Sequence, residues 1–170
     1  MLKTNYFLQE TSTIAFDLVG CLLVCVRDDL ERSYQITETE AYLGECDTAS
    51  HARFGKTSRG EVMYKSAGTL YVYLIYGMHH MLNIVTGPEG EPGAVLIRGI
   101  EGADGPGKLT NFLDITKSEH NDRQLGEKSG IWIENRPDNF QSRQIKAHPR
   151  VGIDYADNEW REKKLRFRLE

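Results

Sequence analysis

The sequence predicts an α+β fold: a single domain, residues 1–170, built on a curved, mostly antiparallel, open-barrel-like β-sheet flanked by short helices and bearing a protruding β-hairpin. Three observations carry this. Runs rich in β-branched and aromatic residues recur without regularly interleaved helices, which favours an antiparallel sheet over a doubly wound one. Two of these runs, TLYVYLIY and HHMLNIV, are separated only by Gly77-Met78, and glycine accepts the positive φ that a type II′ turn requires at its first position. Finally, 170 residues of which 39% are hydrophobic and 27% charged suffice for one packed core, burying roughly 68–70% of the unfolded surface, but not for two.

The elements follow in order. Ser12 or Thr13 is placed to cap a short helix through IAFDLV that ends near Gly20. CLLVCV and YQITETEAYL read as strands, with DDLERS as their turn. After the hairpin and the loop GPEGEPG comes a strand, GAVLIRGI, then a helix, GPGKLTNFLDI, entered through Gly-Pro-Gly. KSEHNDRQLGEKSG is polar and reads as loop, while IWIEN, VGI and LRFRL supply short late strands.

Composition narrows the function classes. The longest apolar run, DLVGCLLVCV, is about half of the ~20 residues a spanning helix requires, and MLKTNYFLQE lacks the apolar core of a signal peptide, so a cytoplasmic protein with no membrane association is expected. The three cysteines, an odd number with Cys21 and Cys25 inside an apolar run, suggest reduced thiols rather than a disulfide framework. The net charge of −4 argues against indiscriminate polyanion binding, yet His51–Lys65 holds four basic residues against one acid. Cys46, His51, His79 and His80 show no metal-ligand spacing, and His79 and His80 leave opposite faces of a strand, so no metal is expected. Neither GPEGEPG nor GIEGADGPGK matches a phosphate-cradling pattern.

The chemistry concentrates in ITETEAYLGECDTASH, where Glu38, Glu40 and Tyr42 alternate along a strand and leave one face, with Thr37, Thr39 and Ala41 on the other. Two such positions lie roughly 6.6–6.8 Å apart, against separations of about 5–5.5 Å for retaining and ~6.5–9.5 Å for inverting glycoside hydrolysis. Side by side on one surface, however, they do not flank a sugar ring. One carboxylate activating one water is the simpler scheme, with the other exposed or paired to an arginine; a solvated or salt-bridged pair is the non-functional alternative. On the hairpin, Tyr71 and Tyr73 share a face opposite Val72 and Leu74, and Tyr76 precedes the turn. An aromatic at a hairpin tip is either packed under another element or offered as a wedge between base steps, with Tyr42, His51 and Tyr73 as candidate walls for an extruded base. Rings stacked in this way favour positively charged bases such as alkylated purines.

ETEAYLG, ASHARFGKTSRGEVMY, GTLYVYLIYGMHHMLNIV, GAVLIRGIE, GPGKLT and the stretch from PRVGI to LRF together resemble, in order and spacing, the alkyladenine (3-methyladenine) DNA glycosylase family. The resemblance implies a monofunctional base-excision repair enzyme that flips an alkylated or deaminated purine (3-methyladenine, 7-methylguanine or hypoxanthine type) from duplex DNA and hydrolyses its N-glycosidic bond, leaving an abasic site. It implies no cofactor, no strand cleavage, a monomer, and action on damaged DNA in the bacterial cytoplasm, at the nucleoid. Carried across by motif, Glu40 is the general base; Arg98 and the backbone carbonyl of Val151 help hold the water. Tyr42, His51 and Tyr73 stack on the base, Asn83 crowds the exocyclic amine of normal guanine, and Tyr76 replaces the flipped nucleotide. Arg53, Lys56, Thr57 and Arg59 meet the DNA backbone, although GKTSRG departs here from the commoner GRTPRN of the family. The competing readings are a lesion-binding module without catalysis, in which Glu40 is structural, and a carbohydrate hydrolase using both glutamates.

Overall fold

The computed structural model describes Met1–Glu170, the side chain of Arg143 excepted. A 3₁₀ turn, Thr4–Leu8, buries Phe7 and leads into α1 (Thr11–Leu18), whose Ile14, Ala15 and Leu18 are buried. The expected Ser12 or Thr13 cap is not used: the N-cap is Glu10, and the hydroxyl of Thr11 lies 2.8 Å from that of Thr86. Ser12 and Thr13 lie within the first turn of the helix, past the position from which a side chain could cap it. β1 (Leu22–Arg27) and β2 (Leu30–Tyr42) form a hairpin. Its turn is shorter than DDLERS, because Asp28 and Asp29 both adopt positive φ (49° and 59°) and close the chain in two residues. Aspartate tolerates that region better than most side chains.

β3 (Leu70–Ile75) and β4 (His79–Val85) form the second hairpin, as anticipated, with a displaced turn. Positive φ falls on Tyr76 and Gly77 (53° and 69°) and the Met78 N–H donates to the Ile75 carbonyl at 3.1 Å, so the turn has the sign pattern of type I′, one residue earlier than expected. Register explains it: Leu70 pairs with Ile84 and Ile75 with His79, which keeps Val72 and Leu82 in the core. A one-residue slip would expose that face.

β5 (Ala94–Ile100), β6 (Ala103–Asp104) and α2 (Pro106–Phe112) follow, the helix entered through Gly105 at φ 114°. The polar stretch expected to be loop contains α3 (Lys117–His120), capped by the Thr116 hydroxyl, which accepts from the Glu119 N–H. β7 (Ile131–Glu134), β8 (Ile145–His148), α4 (Asn158–Glu162) and β9 (Arg166–Leu169) complete the chain. VGI is not a strand, since the Val151 N–H goes to the Glu40 carboxylate instead of a ladder. β8 and α4 were not anticipated; α4 buries no residue and β8 only Ile145, so neither leaves a hydrophobic period to read.

The sheet runs β3-β4-β5-β2-β1-β7, with β6 on β5, β9 on β2 and β8 on β9; the pairings are antiparallel, and the path is not closed among the described residues. The α+β expectation therefore holds. α1 packs on β2, and α2 on β4 and β5. The long β2 divides its work: Leu30–Gln35 pairs with β1, and Ile36–Tyr42 lies between β5 and β9. In that second half the register slips and recovers, with Thr37 extra on β2 and Arg98 extra on β5. Such bulges re-aim side chains. Among the described residues no helix is long and apolar enough to cross a membrane.

Candidate active site

One row of cross-strand partners spans the sheet: Tyr71 on β3, Asn83 on β4, Leu96 on β5, Glu40 on β2 and Arg166 on β9. Because side chains alternate along each strand, Tyr73, Met81, Arg98, Tyr42 and Glu38 join the same face. Above this floor lies a cleft of about 720 Å³ lined by, among others, Tyr42, His51, Tyr73, Asn83 and Arg98, and reaching Tyr76 on one side and Val151 and Tyr155 on another. The structure thus brings together every residue the sequence reading assigned to the base and the water except Glu40 itself, which lies behind the wall at 0% exposure.

Glu40 is held by groups that do line the cleft. The Tyr42 hydroxyl donates to Oε2 at 2.9 Å, the Val151 N–H donates to Oε1 at 2.9 Å, and the Arg98 guanidinium lies 3.4 Å from Oε1. Val151 therefore meets Glu40 through its N–H, a contact that motif transfer through its carbonyl did not anticipate. Burial raises the carboxyl pKa above its usual 4.5, opposed by Arg98, the Val151 N–H and the Tyr42 hydroxyl. Burial also raises Tyr42 well above 10, so its hydroxyl stays a donor. Glu38, also buried, accepts from Arg166 at 2.7 Å and lies 3.6 Å from Arg98 Nε; that nitrogen is buried with no hydrogen-bond partner among the described residues. Both carboxylates thus face Arg98, and Glu38 is also paired to Arg166.

The aromatic walls are as fixed as the floor. His51 lies edge-on to Tyr73 with centroids 4.5 Å apart, and Tyr71 sits 5.2 Å from Tyr73. The Tyr71 hydroxyl donates to the Arg59 carbonyl at 2.8 Å, so its 2.9 Å contact with His51 requires the imidazole Nδ1 to carry the proton. Burial, helped by Arg59 and Arg53, lowers the His51 pKa from 6.5 to about 4, which keeps the ring neutral at physiological pH. Asn83 spends its amide N–H groups on the carbonyls of Tyr71 (3.0 Å) and Met81 (3.2 Å), leaving only its oxygen to face the cleft.

Two loops are tied together beside Glu40 by a pair the sequence reading missed. Arg150 and Asp47, both side chains at 0% exposure, form a two-pronged ion pair at 2.5 and 2.8 Å. Arg150 also donates to the Ala41 carbonyl and lies 4.7 Å over the Tyr42 ring, while Asp47 accepts from the N–H groups of Leu43 and Ala49. The partners lie 103 residues apart, so no local motif announces them. Arg166 adds a second tie by donating to both Glu38 and the Pro149 carbonyl.

At the mouth, Tyr76 is 91% exposed with its backbone in the left-handed region. Of the residues expected on the DNA backbone, Lys56 is exposed, Thr57 accepts from the Gly60 N–H, and Arg59 donates to the Leu74 carbonyl with its guanidinium 5.6 Å from the Tyr73 ring. Arg53 donates to the Ser50 carbonyl and lies against two rings. Among the described residues no cluster of His, Cys, Asp and Glu could hold a metal ion.

The family model described as methylpurine-DNA glycosylase matches residues 5–104 and 101–170. Proteins provisionally named 3-methyladenine DNA glycosylases are similar over nearly the whole chain. One from Anaeromyxobacter sp. (strain Fw109-5) is 42% identical, covering 99% of this chain and 89% of its own. One from Psychrobacter cryohalolentis is 38% identical, covering 94% and 89%, and one from Borreliella afzelii (strain PKo) 40% identical, covering 97% and 94%. With the model matching across both halves of the sheet and relatives of this identity, the chain belongs to the methylpurine-DNA glycosylase family.

Proposed function

We propose that this chain, acting as a single-domain monomer, is a monofunctional glycosylase that everts an alkylated or deaminated purine from duplex DNA and hydrolyses its N-glycosidic bond with a water activated by Glu40. The observation that carries this is the placement of one buried carboxylate of raised pKa directly behind a cleft walled by Tyr42, His51 and Tyr73. A base stacked there puts the sugar carbon towards Tyr42, Arg98 and Val151. Water attacks that carbon, its proton passes to Glu40, and the bond to the base breaks with its electron pair leaving on the base. Glu40 also stabilises the positive charge that grows on the sugar. The raised pKa suits a base better than a free glutamate would, and Arg98 Nε supplies a donor not yet taken by protein.

Tyr76 is the wedge. Its exposure and left-handed backbone are what an inserted side chain needs and what a packing residue avoids. The Asn83 oxygen crowds the amino group of guanine, and the neutral His51 ring adds a π face without repelling a cationic base. Among the described residues lining the cleft there is no lysine to form a Schiff base with the sugar, so water is the nucleophile and the abasic strand stays intact.

The test is a duplex oligonucleotide carrying one hypoxanthine or one alkylated adenine, incubated with the protein and then heated in alkali. A break at the lesion appearing only after alkali is expected. A break without alkali would overturn the monofunctional reading, and lesion binding with no product across several lesions would leave a binding module.

A further inference from the structure

The 3₁₀ turn His51–Phe54 sends its first and last side chains to different places. His51 enters the cleft, whereas Phe54, three residues on, is 72% exposed. Between them Arg53 is clasped: its guanidinium carbon lies 4.2 Å from the Phe54 ring centroid and 4.7 Å from that of Tyr155, and its Nη1 donates to the Ser50 carbonyl at 2.8 Å. Tyr155 is itself 58% exposed and is pinned by a 2.8 Å hydrogen bond from its hydroxyl to the Ala49 carbonyl. The result is a fixed aromatic-cation-aromatic surface, continuous with the cleft through Tyr155.

Packing does not account for it, because a phenylalanine that serves a core is covered. Arg53 spends Nη1 on the Ser50 carbonyl and lays its guanidinium against both rings. What the cluster offers is π-faces interleaved with positive charge, the chemistry on which nucleobases stack. A paired base in a duplex shows only its edges in the grooves, so such a surface selects bases whose faces are bare.

We infer that Phe54, Arg53 and Tyr155 form a stacking platform for an unpaired nucleobase outside the cleft, through which this protein engages single-stranded DNA. The inference rests on the reading that the adjoining cleft takes a DNA nucleotide, and adds a second base site with a different strand preference. Phe54 makes the test clean because its exposed ring can be removed without opening the core.

The experiment compares binding of a lesion-free oligothymidylate and a lesion-free duplex, by fluorescence anisotropy at the same series of salt concentrations, for wild type, Phe54→Ala and Phe54→Tyr. Phe54→Ala is expected to weaken single-strand binding about tenfold, to leave duplex binding within about twofold and to keep the salt slope, since no charge is lost. Phe54→Tyr should restore binding, and both variants should melt with the wild type. An unchanged single-strand affinity in Phe54→Ala, an equal loss on both DNAs, or no recovery in Phe54→Tyr would overturn the platform. Because these DNAs carry no lesion, the result is independent of excision: absence of product from a lesion duplex would remove the glycosylase reading and leave the platform standing, and the reverse pattern would remove the platform alone.

Discussion

The floor of the cleft and its rim are built on opposite terms. On the floor, Glu38, Glu40 and Asn83 are buried on a sheet and gripped by donors or carbonyls from other strands and from the Val151 loop. At the rim, Tyr76, Phe54 and Tyr155 lie open to solvent, and Tyr76 also adopts a backbone conformation that costs a non-glycine residue roughly 1–2 kcal/mol. The floor gives up solvation to hold a charge in place; the rim gives up burial and backbone ease to keep large side chains available. Positioning chemistry needs rigidity, whereas meeting a macromolecule needs exposed surface.

The largest expected break in this contrast is at the floor. Glu40→Gln should lower single-turnover excision by about 10²–10⁴-fold while lesion-duplex affinity, measured by anisotropy, stays near wild type. If Glu38→Gln is as inactive and Glu40→Gln cleaves normally, the roles of the two carboxylates are exchanged. Arg150→Met tests whether the floor is braced from behind. It leaves Asp47 buried without its partner and should cost about 3–5 kcal/mol of unfolding free energy in urea. A loss under 1 kcal/mol would show that the two loops are held by other contacts.

A rim substitution should affect function without affecting the fold. Tyr76→Ser is expected to slow single-turnover excision from duplex by roughly tenfold, reflecting lost wedging of a few kcal/mol at most, with a smaller effect on a single-stranded substrate. Equal slowing on both would argue against a wedge. Tyr76→Gly sharpens the point, because it should raise the melting temperature, by up to about 1 kcal/mol in stability, while also slowing excision.

The smallest effects are pH-dependent and differ in sign between two buried groups. Glu40 has a raised folded pKa and must be ionised to act, so activity should fall as pH drops through a value above 4.5, an acid limb absent from the residual rate of Glu40→Gln. Its contribution to stability runs the other way: present below the unfolded pKa, it is lost as pH rises through the folded one. His51 has a lowered folded pKa, so its contribution is full above 6.5 and is lost as pH falls towards about 4, where the unfolded chain binds the extra proton. His51→Phe should flatten that part of the stability-pH curve in chemical denaturation.

Local pattern determined a good deal of this molecule. Period-two alternation set Glu38, Glu40 and Tyr42 on one face and Tyr71 with Tyr73 on another strand's matching face, and β-branched runs located β1 to β5. Those features were legible because each depends on neighbours two residues away. Where the reading failed at Val151 and at the hairpin turn, a tertiary partner had overruled the local signal: the N–H of Val151 went to Glu40, and the turn to the register the core required. Only the folded chain decided that Arg98 would stand at a bulge facing both glutamates, that Arg150, paired with Asp47, would lie over Tyr42, and that Glu40 would be wholly buried. Such contacts join residues as much as 111 positions apart, and the desolvation that raises the Glu40 pKa belongs to the enclosure as a whole, so no short stretch of sequence contains either.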